Sequence, residues 1–417
     1  MGQDTPEQLL GSLFDRAVAV ADPMRVIPHH LPERPGGRVV VVGAGKASAR
    51  MAEAVEASWG PCEGIVITRY GYARPCRGIE IVEAAHPVPD MAGLAATGRM
   101  LALLRDLGPD DFVLALISGG ASALLVAPAE GVTLAEKQAV NAALLASGAP
   151  IQAMNTVRKH LSRVKGGQLA AAGQPARMLA LMVSDVPGDD PALIGSGPTV
   201  GDATTPDEAR AILARWGVAV QEGIAAALRR PSGVIAPADA RLARVENRVI
   251  AAPAQSLAAA AALAQEAGCR AETLGDRIEG EARQVAQAHA ALARQRQKEK
   301  AAGPLVLLSG GELTVTRRGN GVGGPNAEYA LALAIALGGA PGIHAIACDT
   351  DGVDGAAEVA GALIGPGTLD AARAAGRDPA KALAENDAHG FFAAAGGQVV
   401  TWPTLTNVND FRAILIL

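Results

Sequence analysis

The chain has 417 residues, 49% of them hydrophobic and 19% charged, with a formal net charge of −5. At roughly 150 residues per domain that length calls for two domains, and so much apolar surface excludes disorder. The acidic balance and only 3% aromatic residues offer neither a positive field nor stacking platforms to nucleic acid.

In chain order, a helix is expected over 5–21, ahead of Gly37-RVVVVGAGKASARMAEAVEASW. The latter joins a β-branched run, a glycine turn and an Ala-rich helix, the building block of a parallel sheet. Buried strands ending in polar loops recur at 64–71, 79–87, 111–125 and 176–191, with helices near 91–107, 133–147, 155–173 and 206–229. This grammar predicts a Rossmann-like, doubly wound parallel α/β sheet. The charged, Pro- and Gly-bearing stretch 229–247 reads as a linker, so domains of 1–235 and 236–417 are expected, the second a smaller α/β unit. That second part begins with RVIAAPAQS and runs through two helices to a charged end at QRQKEKAAG. It then supplies strands in PLVLLSGGEL, IHAIACDTDG and FRAILIL. Ser118-Gly119-Gly120 and Ser309-Gly310-Gly311 form an internal echo, each following an apolar strand.

Cys62, Cys76, Cys269 and Cys348 lack CxxC spacing, which argues against zinc and disulfides and fits a reducing cytoplasm. The first residues are acidic where a secretory signal is basic. The uncharged runs 112–129 and 329–348 are broken by glycines, so neither a leader nor a membrane span is expected.

Ligands of open α/β sheets bind at the carboxyl ends of strands, where glycines let backbone N–H groups approach anions. The loop Gly43-Ala44-Gly45-Lys46-Ala47-Ser48 fails the dinucleotide fingerprint, because Ser48 holds the third glycine's place and the next strand ends in Thr68-Arg69 rather than an acid. It offers a lysine at a helix start, or else a solvated lysine beside a packing turn. Ser118-Gly119-Gly120-Ala121-Ser122 suits phosphate or carboxylate oxygens, and also a helix cap. The run 154–167 reads as a helix on which Arg158, Ser162 and Lys165 share a face at i, i+4, i+7 spacing, as an anion site or a solvated face. Ser184-Asp185-Val186-Pro187-Gly188-Asp189-Asp190 can hold Mg²⁺ or supply a base, or form Asp-initiated turns. Asp349-Thr350-Asp351-Gly352-Val353-Asp354 is no EF-hand, since Val353 and Ala360 occupy ligand positions, but could serve a Mg²⁺-nucleotide.

With these stretches assembled, the chain resembles the class II glycerate 2-kinase family, whose C-terminal domain is called MOFRL and whose members were often labelled hydroxypyruvate reductases. The resemblance spans nearly the whole chain and rests on GAGKAS (43–48), HPVPD (86–90), ISGGASALL (117–125), MNTVRKHLSRVKGG (154–167), SDVPGDDP with SGPT (184–199), SGGELTV (309–315), DTDGVDG (349–355) and TNVND (406–410). It implies phosphorylation of D-glycerate at its 2-hydroxyl by ATP with Mg²⁺, in a cleft between two domains, and a cytoplasmic protein whose small-molecule partners are glycerate and ATP. The oligomeric state stays open, a homodimer included. The sequence departs from the family at Pro325, Ala327 and Trp402, where Arg, Gln and Gly are common, and at Gln168, where Arg is common; Arg317 or Arg318 is a substitute for the missing Arg.

On that resemblance Lys46 is expected to stabilise the transferring phosphate, and Ser118, Gly119, Gly120, Ser122 and Arg158 to hold glycerate. Asp189 or Asp351 is expected to take the hydroxyl proton or orient Mg²⁺, with Asp349 as a further metal ligand. Gly43, Gly45, Gly311, Glu312, Gly323, Gly324 and Asn326 are expected to line the nucleotide. The rivals are an NAD(P)H-dependent hydroxypyruvate reductase and a catalytically impaired relative that binds sugar acids.

Overall fold

The computed structural model describes residues 5–299, 303–355 and 357–417, which divide into two compact units. The first runs from Pro23 to Ile250, and the second joins the segment up to Asp22 to Ala251–Leu417. Residues 300–302 of the expected charged end, and the first four of the chain, lie outside the described residues.

In the first unit the strands β1 (Val39–Ala44), β2 (Glu63–Arg69), β3 (Ile79–Ala84), β4 (Phe112–Ile117), β5 (Arg177–Val183) and β6 (Val245–Ala251) form one sheet in the order β3-β2-β1-β4-β5-β6. The pairs β3–β2, β2–β1, β1–β4 and β4–β5 are parallel. Every residue of β1 (VVVVGA) and β4 (FVLALI) is buried, as expected of strands covered on both faces. Strand order reverses between β1 and β4, so the loops leaving those two strands flank the switch point where doubly wound sheets bind ligands.

The second unit contains β7 (Arg270–Gly275), β8 (Gly280–Glu281), β9 (Leu305–Gly311), β10 (Leu313–Thr314), β11 (Ile343–Asp349), β12 (Gly361–Ile364), β13 (Gln398–Val399) and β14 (Asp410–Ile416). Six of them make a mixed sheet, β13-β12-β11-β14-β9-β7, in which only β7–β9 is parallel; β8 and β10 pair separately. One face carries the almost wholly apolar helix Pro325–Leu337. On the other lies the helix Pro6–Ala19 with Leu9, Leu10, Leu13 and Phe14, packed among Leu257, Val306, Leu308 and Phe411.

Three expectations are corrected. The boundary does not fall at 235/236, because the stretch read as a linker is built into the first unit: Ile235 is buried, its N–H donates to Gly166 O, and β6 extends the first sheet. The opening helix belongs with the C-terminal part, where Ser256 Oγ donates to Ala17 O at 2.7 Å. The helix expected over 155–173 is two, Ile151–His160 and Gln168–Ala172, separated at Gly166 and Gly167, whose φ of 60° and 78° no right-handed helix contains.

Leu10→Ala, which removes a side chain with no exposed surface, is expected to cost about 2–5 kcal/mol. Hydrogen exchange should accelerate in β9 and β14 and leave β1 and β4 unchanged; acceleration in β1 and β4 instead would refute the assignment of this helix to the second unit.

Candidate functional site

At the switch point of the first unit, two loops are bolted together. The Ser118 hydroxyl, wholly buried, accepts the Ala47 N–H at 3.0 Å and lies 3.2 Å from Ser48 Oγ, which itself donates to Leu116 O at 3.0 Å. Lys46 N–H donates to Gly119 O at 2.8 Å. Gly45 must be glycine: its φ is 139°, and a Cβ there would sit 2.1 Å from Ser118 Oγ. The same holds at Gly120, with φ 83° and a Cβ position 3.1 Å from the His86 ring and 3.3 Å from Lys46 Cγ. Lys46, Gly120 and His86 therefore converge. Ser118, expected to touch substrate, is instead consumed in holding the Lys46 loop, and Gly43 packs its backbone on Leu116. Gly119 is likewise buried, its carbonyl engaged.

Ser122 takes a different part. Its Oγ lies 2.8 Å from Ser196 Oγ, which donates to Asn155 Oδ1 at 2.9 Å, so the loop after β5 is tied to the short helix Ala121–Leu124. Asp189 lies in that same loop. Its φ of 55° is left-handed, which costs a non-glycine residue about 1 kcal/mol or more. Its Oδ1 is buried without a hydrogen-bond partner. Asp189 thus combines a strained backbone with a buried carboxylate oxygen that has no hydrogen-bond partner among the described residues.

A cavity of about 550 Å³ opens beside these loops, lined among others by His86, Gly120, Ser122, Asn141 and Arg158. Arg158 is half-buried and its guanidinium makes neither a hydrogen bond nor an ion pair among the described residues. The rest of the basic run is no solvated face. Lys159 pairs with Asp202 at 2.5 Å, and His160 is fixed between Ser232 and Thr204. Ser162 and Lys165 lie beyond the end of the helix, so the common face expected for Arg158, Ser162 and Lys165 does not form.

The second unit carries the remaining candidates, and much of what the sequence offers there as open loop is interior. Ser309-Gly310-Gly311 is no echo of the first loop; it stays in β9, in register with Arg412, Phe411 and Asp410. A Cβ on Gly311 would sit 2.3 Å from Ile278 backbone, so that glycine serves packing, whereas Glu312 is exposed. Gly323 is half-exposed with its Cα against Asn386, and Gly324 abuts the Asp354 carboxylate. Asp354, fully buried, accepts the N–H groups of Asn326 and Ala327 at 2.9 and 2.8 Å and so caps the helix Pro325–Leu337. Asn326 is equally buried and donates to Asp410 Oδ1 at 2.7 Å, leaving its own Oδ1 unsatisfied. Asp410 also receives Arg412 at 3.0 Å. Asp349 Oδ1 accepts Asp351 N–H, and Asp351 Oδ1 accepts Val353 N–H, a run of Asx turns. Among the described residues no three His, Cys, Asp or Glu side chains group to hold a metal ion, so Asp349, Asp351 and Asp354 are not a preformed Mg²⁺ cage.

At the positions that depart from the family, Arg317 donates to the carbonyls of Gly319 and Gly321 and braces the glycine loop. Gln168 donates to the carbonyls of Ser162 and Lys165. Trp402 has φ 59° and is 75% exposed, a conformation that a glycine adopts without strain. His86, Lys137 and Asn141 are not among the sequence-based candidates; of these only His86 carries a signal, in HPVPD.

Residues 9–229 match the domain of unknown function DUF4147, and residues 305–410 match the MOFRL family. The chain is 53% identical to an Agrobacterium vitis protein provisionally named a hydroxypyruvate reductase, over 98% of this chain and 94% of that one. It is 37% identical to the D-glycerate 2-kinase of Thermotoga maritima, over 99% and 98%. The crystal structure of glycerate kinase from Thermotoga maritima superposes with a TM-score of 0.87 at 36% identity, covering 99% of each chain. Among the described residues no helix is long and apolar enough to cross a membrane.

Asp189→Asn removes the charge of a half-buried carboxylate whose Oδ1 has no hydrogen-bond partner among the described residues, and keeps the shape. It is expected to leave stability unchanged or raise it by about 1 kcal/mol in urea titrations; a loss greater than about 2 kcal/mol would show the carboxylate to be structural.

Proposed function

Since the chain belongs to the glycerate kinase family in which a DUF4147 domain precedes a MOFRL domain, we propose that it phosphorylates D-glycerate at the 2-hydroxyl with ATP. The observation that carries this reading is the meeting, at the β1–β4 switch point, of Lys46 with Gly120 and His86, beside a cavity into which the unpaired Arg158 opens. Phosphoryl transfer asks little covalent work of a protein; it needs the reactants positioned and the phosphoryl charge compensated.

In this reading Arg158 takes the glycerate carboxylate, its planar fork matching two oxygens, and Ser122 with the Gly120 backbone orients the rest of the acid. The 2-hydroxyl oxygen forms a bond to the γ-phosphorus as the bond to the β,γ-bridging oxygen breaks. ADP leaves, and Asp189 accepts the hydroxyl proton. Lys46 compensates the charge on the transferring group. Asp189 is preferred to Asp351 as base because its Oδ1 is unsatisfied, whereas Asp351 Oδ1 already serves its own turn. Of the residues expected to line the nucleotide in the second unit, Glu312 is exposed and Gly323 half-exposed, whereas Gly311, Gly324 and Asn326 are buried. Mg²⁺ would be carried in on the nucleotide phosphates, where it would supply further compensation of their charge.

The reductase name of the Agrobacterium vitis relative finds less support in the geometry. Ser48, in the third glycine's place, is buried and hydrogen-bonded to β4, and β2 ends in Arg69, which lies over Tyr72 at 4.6 Å, with no acid for a ribose.

The chain is expected to release ADP from ATP only when D-glycerate is present and to yield 2-phosphoglycerate by phosphorus NMR. Lys46→Met should lower kcat by about 10²–10³ with the fold intact. Nicotinamide oxidation with hydroxypyruvate and no ADP release would replace this reading by the reductase one.

A further inference from the structure

Two lysines of the first unit are buried near the half-buried Arg158, and no carboxylate pairs with them among the described residues. Lys137, on the helix Leu134–Ser147, and Lys165, after the helix Ile151–His160, are 1% and 0% exposed. Each side-chain nitrogen makes a single hydrogen bond, from Lys137 Nζ to Leu161 O and from Lys165 Nζ to Leu125 O, both at 3.1 Å. Donors on each are left over. Arg158 is within electrostatic reach of both, and the two lysines are within reach of each other. No carboxylate pairs with any of the three among the described residues. Burial, with Arg158 beside it, pushes the Lys137 pKa down to about 7; burial, with Lys137 and Arg158, pushes Lys165 well below its ordinary value.

The surroundings supply no hidden counter-charge. Helix Ile151–His160 brings Arg158, His160 and Lys159, the last already paired with Asp202. The turn after it brings Arg163, bound to Pro128 O, and the loop before Lys137 brings the exposed Glu130. Helix Glu222–Leu228 brings Glu222, paired with Arg229, and Lys137's own helix has Glu136 engaged in its N-terminal capping box. Holding two backbone carbonyls needs donors but not charge, so an uncompensated buried cluster is costly unless a ligand completes it.

We propose that Lys137 is a positioning residue for the acid substrate, supplying behind Arg158 the buried positive charge that a carboxylate entering the cavity of His86, Ser122 and Arg158 neutralises, with Lys165 beside it as a neutral amine. The proposal rests on the kinase reading. An anion in that cavity favours the ammonium form, so binding takes up a proton wherever Lys137 is neutral in the free protein. The KM for the acid is then lowest below about pH 7 and rises as Lys137 loses its proton at higher pH. The same field discriminates against uncharged analogues such as glycerol, which offer nothing to neutralise it.

Calorimetry of D-glycerate binding at about pH 7.5, in buffers of different ionisation enthalpy, is expected to show uptake of a fraction of a proton; no uptake overturns the proposal. Lys137→Met should raise the KM for D-glycerate about tenfold, flatten its pH dependence, and leave kcat and the KM for ATP within about twofold. Equal rises in both KM values, or an unaltered pH profile, overturn it. Lys137→Arg retains charge and bulk, so it should keep the low KM, abolish the proton uptake and remain folded where Lys137→Met does not. ADP release without proton uptake would sink this proposal alone. Glycerate binding with proton uptake but no ADP release would sink the kinase reading and leave the cationic site standing.

Discussion

One buried hydroxyl organises the first unit's candidate site. Ser118 stands at the end of β4 with no exposed surface, and its oxygen takes the Ala47 N–H while meeting Ser48 Oγ. Those two contacts, with the bond from Lys46 N–H to Gly119 O, fix the turn leaving β1 against the turn leaving β4 and so place Lys46. Gly45 exists to allow the approach, since any side chain there would overlap the hydroxyl. A β4 strand displaced by one residue would point this oxygen to the other face of the sheet and release the lysine. The parallel sheet's fully apolar β1 and β4 prevent that slip, so the reach of Lys46 is ultimately set by the packing of Val39–Ala44 and Phe112–Ile117.

Positive charge in this unit is distributed against the rule that cations lie on the surface. An acidic protein sequesters Lys137, Arg158 and Lys165 inside, where low polarisability strengthens any field they make. Asp189 is the mirror case, an acid whose oxygen lacks a partner and whose backbone is held left-handed. Both arrangements leave buried polar atoms with unused hydrogen-bonding capacity among the described residues. In the second unit the acids are spent otherwise: Asp354 caps a helix, Asp410 balances Arg412, and Asp349 and Asp351 shape a turn.

The doubly wound sheet was legible because its strands are continuous apolar runs, and the loop of Lys46 because glycines break one of them. Arg158 and Asp189 were visible as charges in unusual surroundings. The false common face of Arg158, Ser162 and Lys165 comes from extending helical spacing past His160, where the helix ends at Leu161 with φ −100° and ψ 25°. Lys137 escaped notice because TLAEKQAVNAALL reads as an ordinary amphipathic helix; nothing local says that its lysine turns inward. Ser309-Gly310-Gly311 looked like a loop because small residues suit both open turns and close strand packing, and only the pairing with β14 decides between them. The placement of the first helix on the far end of the chain is likewise a tertiary fact with no local trace.

The sheet of the second unit has an awkward order of assembly. Its interior strand β14, flanked by β11 and β9, comes after every other strand in sequence, and the helix Pro6–Ala19 that covers one face comes before all of them. While the chain is being made, β9 and β11 must wait with unpaired edges, and Leu9 to Phe14 must wait with nothing to cover. Pro23–Ile250, whose strands pair largely with near neighbours, has no such delay. In synthesis order, the strands of Pro23–Ile250 are thus all made before β14 gives β9 and β11 their shared partner, which leaves the second sheet as the one whose edges stay unpaired longest.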